Sequence, residues 1–206
     1  MGRRIFNIPV LLFIPLVLLF IVIVAGVYRF TLKDQEIMDK FAAAQVSDPV
    51  VEQLFDLRLP GALVMPLPET LANAVFTQFD QEHQLASATY DSGQERGIVT
   101  ISKHPQLPVP LKLGEGVLAI ATMSNQGSGL FSYLVSFGLD RQRTRLVTLD
   151  SHFLGDRINV TDLLNEADHI SIIYFEHAPQ QAMADEPTQK VEKQLIVNDL
   201  GKITQK

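Results

Sequence analysis

The stretch VLAIATMSNQGSGLFSYLVSFGLDRQRTRLVTL, residues 117–149, decides the fold class. It holds two apolar runs rich in β-branched and aromatic residues, 117–123 and 130–139, separated by the glycine-containing turn 125–129. A polar turn at 140–144 leads into a third run, in which side chains alternate. Runs of this length between turn residues are typical of antiparallel strands joined by hairpins. The stretch therefore predicts a meander.

Runs of the same character lie on both sides of this stretch. They predict strands at residues 97–102, 157–160, 170–175 and 191–197. Residues 104–110 are rich in proline and predict a connector, and residues 177–187 predict a polar loop.

Two segments nearer the N-terminus predict helices. Ser47 or Asp48 followed by Pro49 is typical of a helix start, which predicts a short helix at 49–57. Residues 69–80 carry apolar side chains at helical spacing. The region 47–206 is therefore expected to be an α+β domain, mainly an antiparallel β-sheet with flanking helices and β-rich from about residue 98.

The N-terminal region predicts a membrane anchor. Residues 5–28 contain no charged side chain, and as a helix they would be roughly 36 Å long, enough to cross a bilayer core of about 30 Å. Pro9 and Pro15 are expected to bend this helix. Residues 1–4 would form a short cytoplasmic head and residues 29–46 a juxtamembrane helix. A cleaved signal peptide is the alternative.

The orientation of the anchor rests on its flanks. Arg3 and Arg4 precede the apolar run, and Arg29 and Lys33 follow it, so the charge difference across the membrane is small. A very short basic head before one span is typical of an uncleaved signal anchor. We therefore expect a single-pass protein of the inner membrane with its C-terminal domain in the periplasm.

Composition excludes several function classes. The chain has no cysteine, which rules out disulfides, thiol nucleophiles and a lipidated cysteine. Beyond residue 33 it has thirteen basic and twenty-three acidic residues, a formal charge of −10. An acidic domain is a poor candidate for binding nucleic acid. The expected partners are the lipid bilayer, through residues 5–28, and an envelope protein.

Three phrases carry a resemblance: GSGLFSYL at 127–134, FLGDRI at 153–158 and MADEPT at 183–188. Together they resemble a bacterial envelope module of uncharacterised secreted proteins and lipoproteins, including mycobacterial lipoproteins of the LppP/LprE type. The resemblance covers about residues 115–200. It implies an envelope location and no catalytic role. This chain departs from the lipoprotein members because it lacks the lipidated cysteine.

The sequence predicts no catalytic residue, cofactor or metal. Glycines flank Ser128 directly, whereas a nucleophile elbow needs them two positions away, so a tight turn is the better interpretation. A triad of Ser128, His152 and Asp150 can be written, but no sequence pattern brings its members together. Asp150 and His152 would share one face of a strand, and with Asp156, Glu176 and His177 they would make a mixed metal site. Such residues are also common beside turns.

Charged residues supply the remaining binding candidates. Arginines alternate at positions 141, 143 and 145, and would bind an anion if they lay on a strand, although a solvated hairpin end is the alternative. The polar loop 177–187 is a candidate binding loop. The full set of predicted ligand-binding residues is Arg141, Arg143, Arg145, Asp150, His152, Asp156, Arg157, His177, Asp185 and Glu186.

These observations favour a membrane-tethered, non-enzymatic binding or scaffolding protein of the bacterial cell envelope. Two alternatives stay open. One is an envelope hydrolase or metal-dependent enzyme, which requires Asp150, His152 and His177 to converge in a cleft. The other is an assembly factor that acts through the juxtamembrane helix.

Overall fold

The computed structural model describes residues 10–31, 47–68, 70–112 and 114–206. The chain divides into two units, residues 1–45 and residues 46–206. The second unit is mostly antiparallel β-sheet with one short helix, an α+β-like domain, and it contains both hydrophobic cores.

The first unit contains helix α1, Val10–Thr31, with Pro15 inside it. The large apolar side chains described along this helix, from Phe13 to Val27, are exposed. By a combined criterion of length and apolarity, no helix in the described part of the chain qualifies as a membrane-crossing one. The span predicted at residues 5–28 therefore stays a prediction. The predicted head at 1–4 and residues 32–46 of the predicted juxtamembrane helix lie outside the described residues.

Six strands form the larger sheet of the second unit. They are β3 (Gln78–Asp80), β4 (Leu85–Asp91), β5 (Arg96–Leu111), β6 (Gly114–Asn125), β7 (Leu130–Asp140) and β8 (Arg145–Asp156). They pair antiparallel in chain order, β3-β4-β5-β6-β7-β8. The predicted meander is confirmed.

Two smaller sheets and a helix complete the second unit. Strands β9 (Asn159–Asn165), β10 (Ile170–Glu176), β11 (Gln189–Val197) and β12 (Ile203–Gln205) form a sheet in the order β12-β11-β10-β9. Strands β1 (Val64–Pro66) and β2 (Asn73–Val75) pair as a hairpin. Helix α2, Pro49–Phe55, begins after Asp48, whose carboxylate accepts from the amides of Val50 and Val51. The predicted cap is confirmed.

The six-stranded sheet lies between two hydrophobic cores. On one face, Tyr133, Val135 and Phe137 of β7 pack in a core with α2 and the β1–β2 hairpin. On the other face, Leu134 packs in a core with Ile172 of β10 and other residues of the four-stranded sheet. Strand β7 is thus covered on both faces, which explains why its sequence is nearly continuously apolar.

Strand β5 takes part in both cores because its pairing shifts. Between the pairs Ile101–Ala121 and Gln106–Ala119, β5 has four residues and β6 has one. The three extra residues are an odd number, so the alternation of side chains reverses. Val99 and Ile101 therefore face the first core, while Val109 faces the second.

Three predictions about local structure are wrong. The helix predicted at 69–80 is absent from its described residues, 70–80, because β2 pairs with β1 and buries Ala74 while exposing Val75. Residues 104–110 are part of β5 rather than a connector, because they pair with β6 after the shift. The β-structure begins at residue 64 instead of about 98. In each case pairing with another strand outweighed local propensity.

Candidate functional site

Asp150 and His152 lie on the same face of β8, as the sequence predicted. Their partners on β7 are Ser136 and Leu134, so both side chains point toward the four-stranded sheet. Asp150 accepts a hydrogen bond from the amide of Ile203 at 2.9 Å. Beside it, the Ser136 hydroxyl donates to the carbonyl of Gly201 at 2.5 Å. This pair holds the turn before β12 against the larger sheet.

His152 lies in a half-buried position near Lys193 of β11. Burial lowers its pKa below 6.5, the positive charge of Lys193 lowers it further, and Asp150 opposes the shift. Burial also lowers the pKa of Lys193, whose ammonium group donates to the carbonyl of Phe153 at 3.3 Å. The local environment therefore favours a neutral imidazole.

Asp156 and Arg157 organise the ends of strands. The Asp156 carboxylate accepts from the amide of Leu130 at 2.8 Å. The guanidinium group of Arg157 donates through two nitrogens to the carbonyl of Ser128 and through a third to the carbonyl of Met183. Arg157 thus joins the β6–β7 turn to the loop that follows β10. Ser128 lies in that turn, as predicted.

The loop between β10 and β11 is held by its own side chains. The Nε2 atom of His177 lies 2.9 Å from the carbonyl oxygen of Asp185, while Nδ1 is buried with no hydrogen-bond partner among the described residues. Gln181 bonds Ala178 and the carbonyl of Glu186. The side chains of Asp185 and Glu186 remain exposed.

The three arginines lie at a hairpin end, not along one strand. Arg141 and Arg143 belong to the exposed turn between β7 and β8, and Arg145 is the first residue of β8. Arg143 forms an ion pair with Asp140 at 3.5 Å. Arg141 lines a cavity of about 490 Å³ whose walls include Leu149. The solvated hairpin end is therefore the interpretation that the structure favours.

The charged residues predicted to bind a ligand do not come together in one site. No hydrogen bond or ion pair joins His177 to Asp150 or His152 in the described residues, and Ser128 contacts Arg157 instead of His152. Within those residues no group of three or more His, Asp or Glu side chains is arranged to hold a metal ion. The ligand-binding role of the predicted set stays a prediction.

A different set of residues forms an open groove of about 610 Å³ at one end of the larger sheet. Its floor comes from three neighbouring strands: Met123 of β6, Phe131 and Tyr133 of β7, and Phe153 of β8. Two loops form its walls, and they contribute Pro68, Thr70 and Leu71 from the β1–β2 connection and Ser92, Gln94 and Glu95 from the β4–β5 turn. Asn125 completes the lining. We call this the aromatic groove.

The apolar lining of the aromatic groove is open to solvent at Phe153 and Leu71, whereas Tyr133 and Met123 are buried. The rings of Tyr133 and Phe153 are 5.5 Å apart, and those of Phe131 and Phe153 are 6.4 Å apart. Phe153 is 45% exposed, and Leu71 at the rim is fully exposed. Large side chains at the mouth of a concave surface, with polar groups around them, are typical of a binding site.

Comparison with protein-family models, with curated proteins and with solved structures finds no match for this chain. The function of this chain is therefore inferred from its sequence and its geometry. Sequence reasoning missed the aromatic groove because Phe131, Tyr133 and Phe153 resemble ordinary strand residues. The only signal was position, since Phe131 and Phe153 each lie within three residues of a strand end.

Proposed function

We propose that this chain is a membrane-tethered, non-enzymatic binding protein of the bacterial cell envelope, and that the aromatic groove is where it holds its partner. The observation that carries the proposal is the cluster of three aromatic side chains in an open groove, with an exposed leucine at its rim. Of the three, Phe153 is exposed and Tyr133 is buried. Aromatic side chains contribute strongly to protein–protein binding, because they bury a large area with few rotatable bonds.

The residues that line the groove also favour binding over catalysis. Among the described residues, its lining contains one carboxylate, Glu95, and the hydroxyl of Tyr133, and it contains no histidine or lysine. The polar residues at its rim suit a recognition surface, where they fix the register of a bound segment. The wall formed by the β4–β5 turn is internally bonded: Gly93 donates to Asp91, and Glu95 exchanges hydrogen bonds with Ser92. A preorganised wall lowers the entropic cost of binding.

The tether is supported by the N-terminal sequence. Residues 5–28 lack charge, and the described side chains of α1 from Phe13 to Val27 expose apolar groups along the helix. Apolar side chains exposed on several sides of a helix are stable in lipid and costly in water. The envelope location rests additionally on the resemblance of residues 115–200 to the lipoprotein module.

The test places a photo-cross-linking amino acid in the full chain in cells. Benzoylphenylalanine at position 71 is expected to give a discrete cross-linked adduct in the membrane fraction. The matched control is position 164, because Leu164 on β9 is 42% exposed and lies outside the aromatic groove. If position 71 gives no adduct beyond that seen at position 164, the groove is not the binding site and the proposal fails.

A further inference from the structure

We propose that the partner presents a basic peptide segment to the aromatic groove, with a lysine or arginine side chain lying against the rings of Phe131 and Phe153 and its charge held by Glu95. This inference rests on the proposed function, and it specifies the chemistry of the partner.

The aromatic rings of the groove favour a cationic side chain. Phe153 is partly exposed, and its ring lies at a steep angle to that of Phe131 (53°) and to that of Tyr133 (62°). The faces of aromatic rings carry negative electrostatic potential, so they attract ammonium and guanidinium groups. A long basic side chain also brings an apolar stem that packs along the rings.

Glu95 supplies a negative charge to the lining of the groove. Its side chain is exposed, and its carboxylate forms no hydrogen bond or ion pair with the described residues, since the bonds to Ser92 involve only its backbone. The adjacent Arg96 is not its partner, because Arg96 pairs with Asp91 at 2.7 Å. No basic residue of the described part of the chain lines the aromatic groove. The groove therefore presents a negative charge beside aromatic rings, and a cation from a partner would complement both.

The negative charge of Glu95 also affects Tyr90 in the six-stranded sheet. Burial raises the pKa of Tyr90, and the negative charge of Glu95 raises it further. Tyr90 belongs to β4, which leads directly into the turn that carries Glu95. A negative potential at this end of the sheet agrees with the charge of −10 beyond residue 33, and such a surface attracts basic partners.

The size of the groove favours a peptide over a small ammonium compound. A volume of about 610 Å³ accommodates several side chains. Leu71, which is fully exposed, adds apolar surface to the lining. We therefore expect apolar residues next to the basic one, as in a leucine-lysine-leucine sequence.

The test measures binding to full-length protein in detergent micelles that carries isotope-labelled phenylalanine. The probes are the peptides acetyl-Gly-Leu-Lys-Leu-Gly-amide and its twin with norleucine, which keeps the side-chain stem and lacks the charge. We expect the lysine peptide to shift the resonances of Phe131 and Phe153 and to bind roughly five- to thirty-fold more tightly than the norleucine peptide. Raised salt is expected to weaken only the lysine peptide.

Two variants test the role of Glu95. Glu95→Gln is expected to remove most of the preference for lysine and to leave binding of the norleucine peptide unchanged. Glu82→Gln makes the same change of net charge in an exposed turn outside the groove, and it is expected to have no effect. Equal losses in both variants would mean that only the overall charge matters, which overturns the inference.

The remaining outcomes separate this inference from the proposed function. Equal binding of both peptides at the labelled rings overturns the basic partner and leaves a binding groove. Choline binding as tightly as the lysine peptide overturns a peptide partner in favour of a lone ammonium group. Absence of binding by either peptide, with the cross-link at position 71 intact, overturns the inference alone. Loss of that cross-link is the failure of the proposed function.

Discussion

The hydroxyl of Ser136 is expected to stabilise the contact between the six-stranded and four-stranded sheets, and Ser136→Ala tests this. Ser136 lies on β7 with no exposed surface, and its hydroxyl donates to the carbonyl of Gly201 at 2.5 Å. Alanine keeps the Cβ atom, so the substitution removes one oxygen and opens little space. The carbonyl of Gly201 loses this donor in a buried position, because Gly201 is itself buried.

The expected cost follows from that single contact. Loss of a hydrogen bond that leaves a buried partner unsatisfied costs about 1–3 kcal/mol in the free energy of unfolding. For a domain of this size, that corresponds to a fall in melting temperature of roughly 3–10 °C. The matched control is Ser132→Ala on the same strand. Ser132 is also buried, but among the described residues its hydroxyl forms no hydrogen bond, so its loss is expected to cost little.

The assay is urea unfolding of the full chain in detergent, followed by far-ultraviolet circular dichroism. Ser136→Ala should lower the urea midpoint without changing the slope of the transition, and Ser132→Ala should leave the midpoint nearly in place. Equal midpoints for the two variants would show that the bond to Gly201 contributes nothing. The account of how β12 is held against β7 would then be wrong.

Three further predictions follow from other sites. Burial and the charge of Lys193 hold the pKa of folded His152 below 6.5, so the unfolded state binds more protons as the pH falls. The free energy of unfolding should therefore decrease below about pH 6.5. His152→Gln should reduce this decrease when urea titrations at pH 7.5 and 5.5 are compared. Asp48→Ala should cost about 1 kcal/mol in the same titration, and Asp48→Asn less, because the cap bonds two amides. The chain has no cysteine of its own, so one cysteine added after Lys206 can be labelled specifically. It should react with a membrane-impermeant maleimide in cells whose outer membrane, if present, has been permeabilised. Protection of this cysteine until the cells are lysed would contradict a periplasmic domain.

Local sequence predicted the meander because each hairpin joins neighbours along the chain. The runs at 117–123 and 130–139 meet across one short turn, and their pairing needs no distant partner. Residues 69–80 show the limit of this reasoning. Their apolar residues fit helical spacing, yet β2 pairs with β1 in a hairpin, and that pairing decides the conformation.

Strand β5 shows a second limit. Its prolines predicted a connector, but three extra residues in its pairing with β6 let one continuous strand contribute to two cores. No property of residues 104–110 alone specifies this reversal of faces. It depends on where β6 and the four-stranded sheet lie.

The sequence by itself determined an uncharged apolar N-terminal run, an acidic remainder, a cysteine-free chain and a series of antiparallel strands. The tertiary structure alone decided which side chains meet. Asp150 and Arg157, chosen for their charge, bond backbone groups within the chain. Phe131 and Phe153, unremarkable as strand residues, form the aromatic groove with loops from distant positions. The reason is physical: charge and hydropathy are properties of single residues, whereas a binding surface depends on strand register and on which loops lie beside it.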